Sequence, residues 1–354
     1  MPDSARSPPA AALFDNREYD HASGKTRITG RNHLITLPPL KCPGCTETLS
    51  GVEVEEALRV GADGFDGCLR RCAACRIGAS NAVDPERVTF IYADPIAAIP
   101  PPSRDGAKEA LEGALNVRNR PSKWAKFGYV PTSEDAVTWV VLTYLLRTGR
   151  LLGTLTRLGL CSVNTQSHPR LLLWGVPIDD TNGKGAHLRG SLQAVCTALG
   201  EEPQSYSEPD VIVDLGNDGL VFIEVKHFSK NDIKNAVYRG WTEKMYLTPS
   251  PMRWNVGEVK TSGYYELARN WRLLNELAAG RSALLVNLGP PALFRGEEGK
   301  RLDAFVAALR TSDRCGFRKL TWSELLSDAA RGAPGWFLDF CRQRRLPVAD
   351  SGTT

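Results

Sequence analysis

One short segment carries the residue types best suited to chemistry. Asp210 follows Pro209, and after thirteen intervening residues comes Glu224-Val225-Lys226. Residues two apart on a strand share a face, so Glu224 and Lys226 project together and Val225 the other way. Leu220-Val221-Phe222-Ile223, just before them, reads as a buried strand. A carboxylate and an ammonium on such a strand are costly to desolvate unless something compensates them, and a bound divalent cation would. Mg²⁺ and Mn²⁺ prefer oxygen ligands. They neutralise charge on the attacking and leaving oxygens of a phosphodiester and make a bound water nucleophilic. In this reading Asp210 and Glu224 hold the metal, and the Val225 carbonyl can add an oxygen. Lys226 orients or deprotonates the water, or stabilises charge on the phosphate. The competing reading is a same-face ion pair on an exposed strand, and the apolar run beside it weighs against that.

The turn before Leu220 tests whether Asp210 can reach this face. Asn217-Asp218-Gly219 suits a three-residue hairpin loop with Gly219 as a left-handed bulge. Ile212 then faces Glu224, Asp210 faces Lys226, and Asp210, Glu224 and Lys226 share one face. Val211, Val213, Leu215, Val221, Ile223 and Val225 form the opposite, wholly apolar face. A two-residue loop would turn Asp210 to the wrong side. Asp214 shares the site face but lies too far along the strand to be a first-choice ligand. His227 faces away from Lys226 and is read as structural.

Pro209-Asp210 and Glu224-Val225-Lys226 together resemble the PD-(D/E)xK superfamily of restriction-endonuclease-like nucleases. The resemblance covers roughly residues 127 to 330 and implies an α/β fold, with a mixed central sheet flanked by helices. In that superfamily a Glu on an earlier helix often joins the site, and the matching residue here is Glu134, in Ser133-Glu134-Asp135. Tyr264 to Trp271, the strand at Ala283 and Leu320 to Leu325 also look like elements of bacterial members. The implied activity is Mg²⁺- or Mn²⁺-dependent hydrolysis of DNA, in restriction, phage defence or repair, with a homodimer or defence and repair proteins as further partners.

A second constellation lies nearer the N-terminus. Cys42-Pro43-Gly44-Cys45 and Cys72-Ala73-Ala74-Cys75 are two CxxC pairs separated by 26 residues. Four thiolates at such spacing point to a closed structural Zn²⁺ site in a zinc-ribbon-like module. Cys68 is an alternative to Cys72, which is preferred because it restores the CxxC spacing. Arg70, Arg71 and Arg76 flank the second pair and are candidates for phosphate contact or a solvated face.

The elements that must position these groups follow from periodicity and punctuation. Residues 1–35 read as a flexible tail and 36–94 as the zinc-ribbon-like module. Residues 95–126 read as a Pro-rich linker with a short helix (105–117) and a basic loop. Residues 127–345 form the nuclease-like domain and 346–354 a frayed tail. Within the large domain, helices are expected over 133–146, 188–199, 231–245, 264–279, 302–309 and 323–330. Strands are expected over 171–176, 210–215, 220–226 and 283–288. Arg118, Arg120, Lys123 and Lys126 on one side and Lys230, Lys234, Arg239 and Lys244 on the other bracket the carboxylates in sequence; Arg118, Arg120, Lys123, Lys230 and Lys234 are the leading candidate nucleic-acid contacts. The 354 residues carry a net charge of only +4, so charge alone argues little for a nucleic-acid partner. The sequence has no long apolar run and no secretion signal, so a cytoplasmic location is the default expectation. Two alternatives remain open: a zinc-dependent nucleic-acid- or protein-binding module with an inactive nuclease fold, and an RNA-cutting enzyme.

Overall fold

A computed structural model describes residues 17–20, 25–28, 34–55, 64–162, 164–165, 167–231, 233, 243–247 and 254–348. The chain divides into two compact units, residues 1–88 and 89–354. The break falls six residues before the expected boundary at 94.

The first unit is built of short antiparallel pairs. β1 (Arg17–Asp20) pairs with β2 (Lys25–Ile28), within the stretch read as a tail. β3 (Leu34–Leu37) pairs with β6 (Val52–Glu55), and between them β4 (Leu40–Lys41) pairs with β5 (Thr48–Leu49). β7 (Arg70–Cys72) pairs with β8 (Ile77–Ala79).

The second unit is a mixed α/β assembly. β9 (Phe90–Tyr92) pairs antiparallel with β10 (Tyr129–Val130). α1 (Ala107–Gly113), α2 (Arg120–Phe127), α3 (Glu134–Arg147) and α4 (Leu151–Arg157) precede the main sheet. The stretch expected to be an extended linker is instead part of this unit. Pro95–Ala98 and Pro101–Ser103 form tight 3-10 turns, with Pro95, Ala98 and Ser103 buried. The basic stretch read as a loop is α2, because Pro121 sits in its first turn, where proline favours a helix start.

The main sheet runs β12-β11-β13-β14-β15-β16. Its strands are β11 (Arg170–Leu173), β12 (Val176–Ile178), β13 (Val211–Asp214), β14 (Leu220–Val225), β15 (Ala283–Gly289) and β16 (Cys315–Thr321). The first four in spatial order pair antiparallel, and β14, β15 and β16 are parallel. The expected single strand 171–176 is a hairpin, turned by Trp174 (φ 52°) and Gly175 (φ 75°). A Cβ on Gly175 would lie 2.2 Å from Leu115 Cδ1, so glycine is required there for space as well as conformation.

Helices cover both sheet faces. α5 (Lys184–Ala198), α6 (Val256–Ser262), α7 (Tyr265–Ala278) and α8 (Gly296–Ala308) pack with Ile212, Leu220, Phe222 and Leu285. On the other face α3, α9 (Trp322–Ala329) and α10 (Gly335–Gln343) pack with Val211, Val213, Val221, Ile223 and Val225. Ser133 caps α3 by accepting from the Ala136 N–H, and Thr321 with Glu324 forms a capping box on α9. Leu346 is buried in this second core, so residues 346–348 are not frayed. The helix expected over 231–245 falls largely outside the described residues, as does Lys234.

The β13–β14 hairpin keeps the expected faces but not the expected register. Ile212 faces Phe222 and Asp214 faces Leu220, two residues away from the predicted alignment. The connection is Leu215–Gly219, with both Gly216 (φ 62°) and Gly219 (φ 136°) at positive φ. Gly219 also serves a close approach: a Cβ there would sit 2.5 Å from the Ser282 carbonyl oxygen. A shift of two leaves every side chain on its own face, so Asp210 falls opposite Glu224 rather than Lys226.

Candidate active site and metal centre

Asp210, Glu224 and Lys226 lie at the end of β13 and β14 away from the hairpin turn, and Glu134 begins α3. All four line one cleft of about 710 Å³. Asp135, Glu208 and Glu266 complete a set of seven lining residues that carries six carboxylates, and Lys123, Lys126 and Arg269 join Lys226 as the lining cations. The carboxylates outnumber the cations by two.

Lys226 Nζ lies 2.8 Å from Glu224 Oε1 and 2.8 Å from Glu266 Oε2. Asn270 Nδ2 donates to the other Glu224 oxygen at 2.7 Å. Burial opposes the charge on Lys226, but Glu224, Glu266 and Asp210 outweigh it and hold the ammonium protonated. Asp210 Oδ2 accepts from the Val225 N–H at 2.9 Å. Burial first, then the Glu224 charge, push the Asp210 carboxyl well above the usual range, with Lys226, Lys123 and the Val225 N–H only partly opposing. Burial also raises Glu224, against the pull of Lys226. Both carboxyls therefore sit where added positive charge would be favourable.

Glu134 serves the turn after β14. Its Oε1 accepts from the His227 N–H (2.6 Å), the Ser229 N–H (3.2 Å) and the Ser229 hydroxyl (2.7 Å). His227 points away from the cleft, with Nε2 2.8 Å from the Arg344 carbonyl, and burial brings its pKa down to about 4. Trp322 Nε1 donates to the Lys226 carbonyl at 2.9 Å.

The basic residues that bracket the site in sequence separate in space. Lys123 is buried, 3.0 Å from Asp135 and 3.2 Å from Glu208, with its ammonium 4.8 Å from the Trp174 ring centroid. It is an internal cation, not a surface contact. Arg118 is exposed and pairs with Glu202, Arg120 Nε donates to the Ala114 carbonyl, and Lys230 pairs with Glu298. None of these three lines the cleft. Lys126, from the same basic run, does, as does Arg269, which did not stand out in the sequence as a site residue. Glu266, Arg269 and Asn270 share one side of α7 at spacings of three and four. That spacing was the available signal for them, within a stretch already singled out. Asp214 is a clamp instead of a ligand: Arg170 and Arg281 both pair with its buried carboxylate.

In the first unit the ligand atoms of Cys42, Cys45, Cys72 and Cys75 all lie within 4.8 Å of one another. Thiolates each about 2.3 Å from a tetrahedral zinc stand ~3.8 Å apart, and Cys45 Sγ and Cys72 Sγ are 3.6 Å apart. The first pair sits between β4 and β5, the second at the β7–β8 turn. Each forms a tight knuckle. The Gly44 and Cys75 N–H groups donate to Cys42 Sγ and Cys72 Sγ, both at 3.4 Å. Thr46 (φ 63°) and Arg76 (φ 55°) close the turns in left-handed conformation. The Cys75 N–H bond is the first cause holding the Cys72 thiol below its ordinary value. The donor set and spacing fit structural zinc. Cys68 lies outside the quartet, with its Sγ donating to the Gly64 carbonyl and its pKa pushed up to about 11 by burial. Arg70 is buried and donates to the carbonyls of Pro38, Ser80 and Ala82, so it cannot meet a phosphate. Arg71 and Arg76 are exposed.

Among the described residues the cysteines are the one group of three or more ligating side chains that converges this closely. No helix among the described residues is long and apolar enough to cross a membrane. Compared with family models, curated proteins and solved structures, the chain finds no match.

Proposed function

We propose that the cleft is the active site of a metal-dependent nuclease of the PD-(D/E)xK kind, acting on DNA, and that the four-cysteine module holds a structural zinc. One observation carries the reading: Asp210, Glu224, Lys226 and Glu134, from two strands and a helix, line a single cleft whose carboxylates outnumber its cations. Two carboxylates suffice for Mg²⁺, which keeps several of its waters. Asp210 and Glu224 would hold that ion, which supplies charge neutralisation on the phosphate and an acidified water when bound.

The chain's own groups set the rest. The Val225 N–H fixes one Asp210 oxygen, and Asn270 fixes one of Glu224, so each carboxylate keeps a defined orientation. Lys226 keeps its proton between Glu224 and Glu266, which suits it to stabilise phosphate charge or orient water rather than to act as a base. Arg269 adds a further cation; its buried Nε has no hydrogen-bond partner among the described residues. The test is cleavage of single- and double-stranded DNA and of RNA in Mg²⁺, Mn²⁺ or EDTA. The reading expects metal-dependent cutting of DNA. Nucleic-acid binding with no cutting in any metal would favour an inactive fold serving as a binding module, and cutting confined to RNA would make it a ribonuclease.

A further inference from the structure

Phe228 lies two residues beyond Lys226, lines the same cleft and leaves 48% of its surface exposed. An isolated exposed phenylalanine on a mobile loop needs no explanation. This one stands on a fixed support. The Lys226 N–H is bonded to the Leu288 carbonyl and the Lys226 carbonyl to Trp322. Glu134 holds the N–H groups on either side of Phe228, those of His227 and Ser229. The buried His227 ring packs edge-on to the Phe228 ring at 4.4 Å. So a strand end, two helices and a buried histidine together fix an apolar ring at the mouth of a polar, charged cleft. Lys126 and Arg269 line that cleft as well, two cations that a phosphate beside a stacked base can meet.

We infer that Phe228 is a stacking platform for an unpaired nucleobase of the substrate. This rests on the nuclease reading of the cleft and narrows its substrate. A duplex interior hides the faces of its bases, so the geometry points to a single strand, a frayed end or a nucleotide turned out of the helix. Stacking on an aromatic side chain tolerates any base, so the platform selects strand state rather than sequence.

The experiment compares the full-length, zinc-loaded protein with Phe228→Ala and Phe228→Trp, by fluorescence anisotropy without added Mg²⁺ or Mn²⁺. The probes are a labelled single-stranded oligonucleotide and one of equal length whose nucleotides are all abasic. The wild type should bind the base-bearing strand about fivefold or more tighter, in line with the usual contribution of one stacked base. Phe228→Ala should erase that difference with the abasic affinity unchanged, and Phe228→Trp should keep it. Equal weakening of both probes by Phe228→Ala, or no weakening of either, overturns the stacking role. If metal-dependent cleavage persists in that case, the nuclease reading stands and the platform alone fails. Absence of both binding and cleavage in the wild type overturns the two together.

Discussion

Lys226→Met is the most informative perturbation of the fold around the site. The ammonium is 10% exposed and makes two 2.8 Å ion pairs, to Glu224 (5% exposed) and Glu266 (27% exposed). Methionine keeps most of the volume and removes the charge. Breaking a buried pair by deleting one partner costs about 3–5 kcal/mol, because the other charge is left behind. Glu266 is reached by water and Glu224 keeps Asn270, so the low end, about 3 kcal/mol, is expected. For a unit of this size that is a fall in melting temperature of roughly 6–12 °C. The loss should depend on pH. Burial already raises the Glu224 carboxyl, and without Lys226 it rises further. A carboxyl whose folded pKa lies above its unfolded value costs nothing below the unfolded value, about 4.3 for Glu. The cost grows as pH rises through the interval between the two. The deficit should therefore be small near pH 4 and fully developed at neutral pH. Thermal unfolding without added Mg²⁺ or Mn²⁺ across this range measures it. Adding Mn²⁺ should recover more stability in the variant than in the wild type, since Glu224 has lost its internal counter-charge. A variant within about 0.5 kcal/mol of wild type at neutral pH, the range of a neutral surface change, would refute the reasoning, as would a deficit independent of pH.

Three further outcomes are expected. Asp210→Asn should melt a few degrees above the wild type without added Mg²⁺ or Mn²⁺ at neutral pH, because the amide oxygen still accepts the Val225 N–H while the unfavourable charge is gone; the two curves should converge below about pH 4, where both the folded and unfolded carboxyls are protonated. Zinc measured by mass spectrometry should be one ion per chain, lost in Cys72→Ser and kept in Cys68→Ser; retention in Cys72→Ser would contradict the quartet. Asp214→Ala should cost about 3 kcal/mol by leaving Arg170 and Arg281 without their buried counter-ion, with the rate of metal-dependent cleavage unchanged well below the melting temperature.

The parts of this molecule legible in the sequence are those set by strand parity and by paired spacing. Alternation placed Val211, Val213, Val221 and Ile223 on one face and Asp210, Glu224 and Lys226 on the other, and that survives a register shift of two. The register itself was not legible, because the connection closes as a longer turn, Leu215–Gly219, with positive φ at both Gly216 and Gly219, and Gly219 also answers to a distant backbone, at Ser282. The CxxC pairs mark their knuckles directly, since a metal site of this kind is built from local turns. Lys123 and Arg70 read as surface cations because sequence gives charge but not depth; each is buried by long-range partners, Glu208 and Asp135 for one and three carbonyls for the other. The Pro-rich stretch read as a linker because its prolines forbid long regular elements, yet prolines also start the turns and the helix found there. Glu266 and Arg269 escaped notice because a charged residue on an amphipathic helix is ordinarily a solvated one, and the cleft that α7 helps to wall is defined by β14 and α3.

The most direct test of the site uses Asp210→Asn, whose fold is expected to be at least as stable as the wild type. Cleavage of DNA should be measured for both proteins with Mg²⁺, at a temperature where both are fully folded. The account predicts cutting by the wild type, abolished by EDTA, and none above background by Asp210→Asn despite its intact fold. Cutting by Asp210→Asn at the wild-type rate would contradict the assignment of this cleft as the metal-dependent active site.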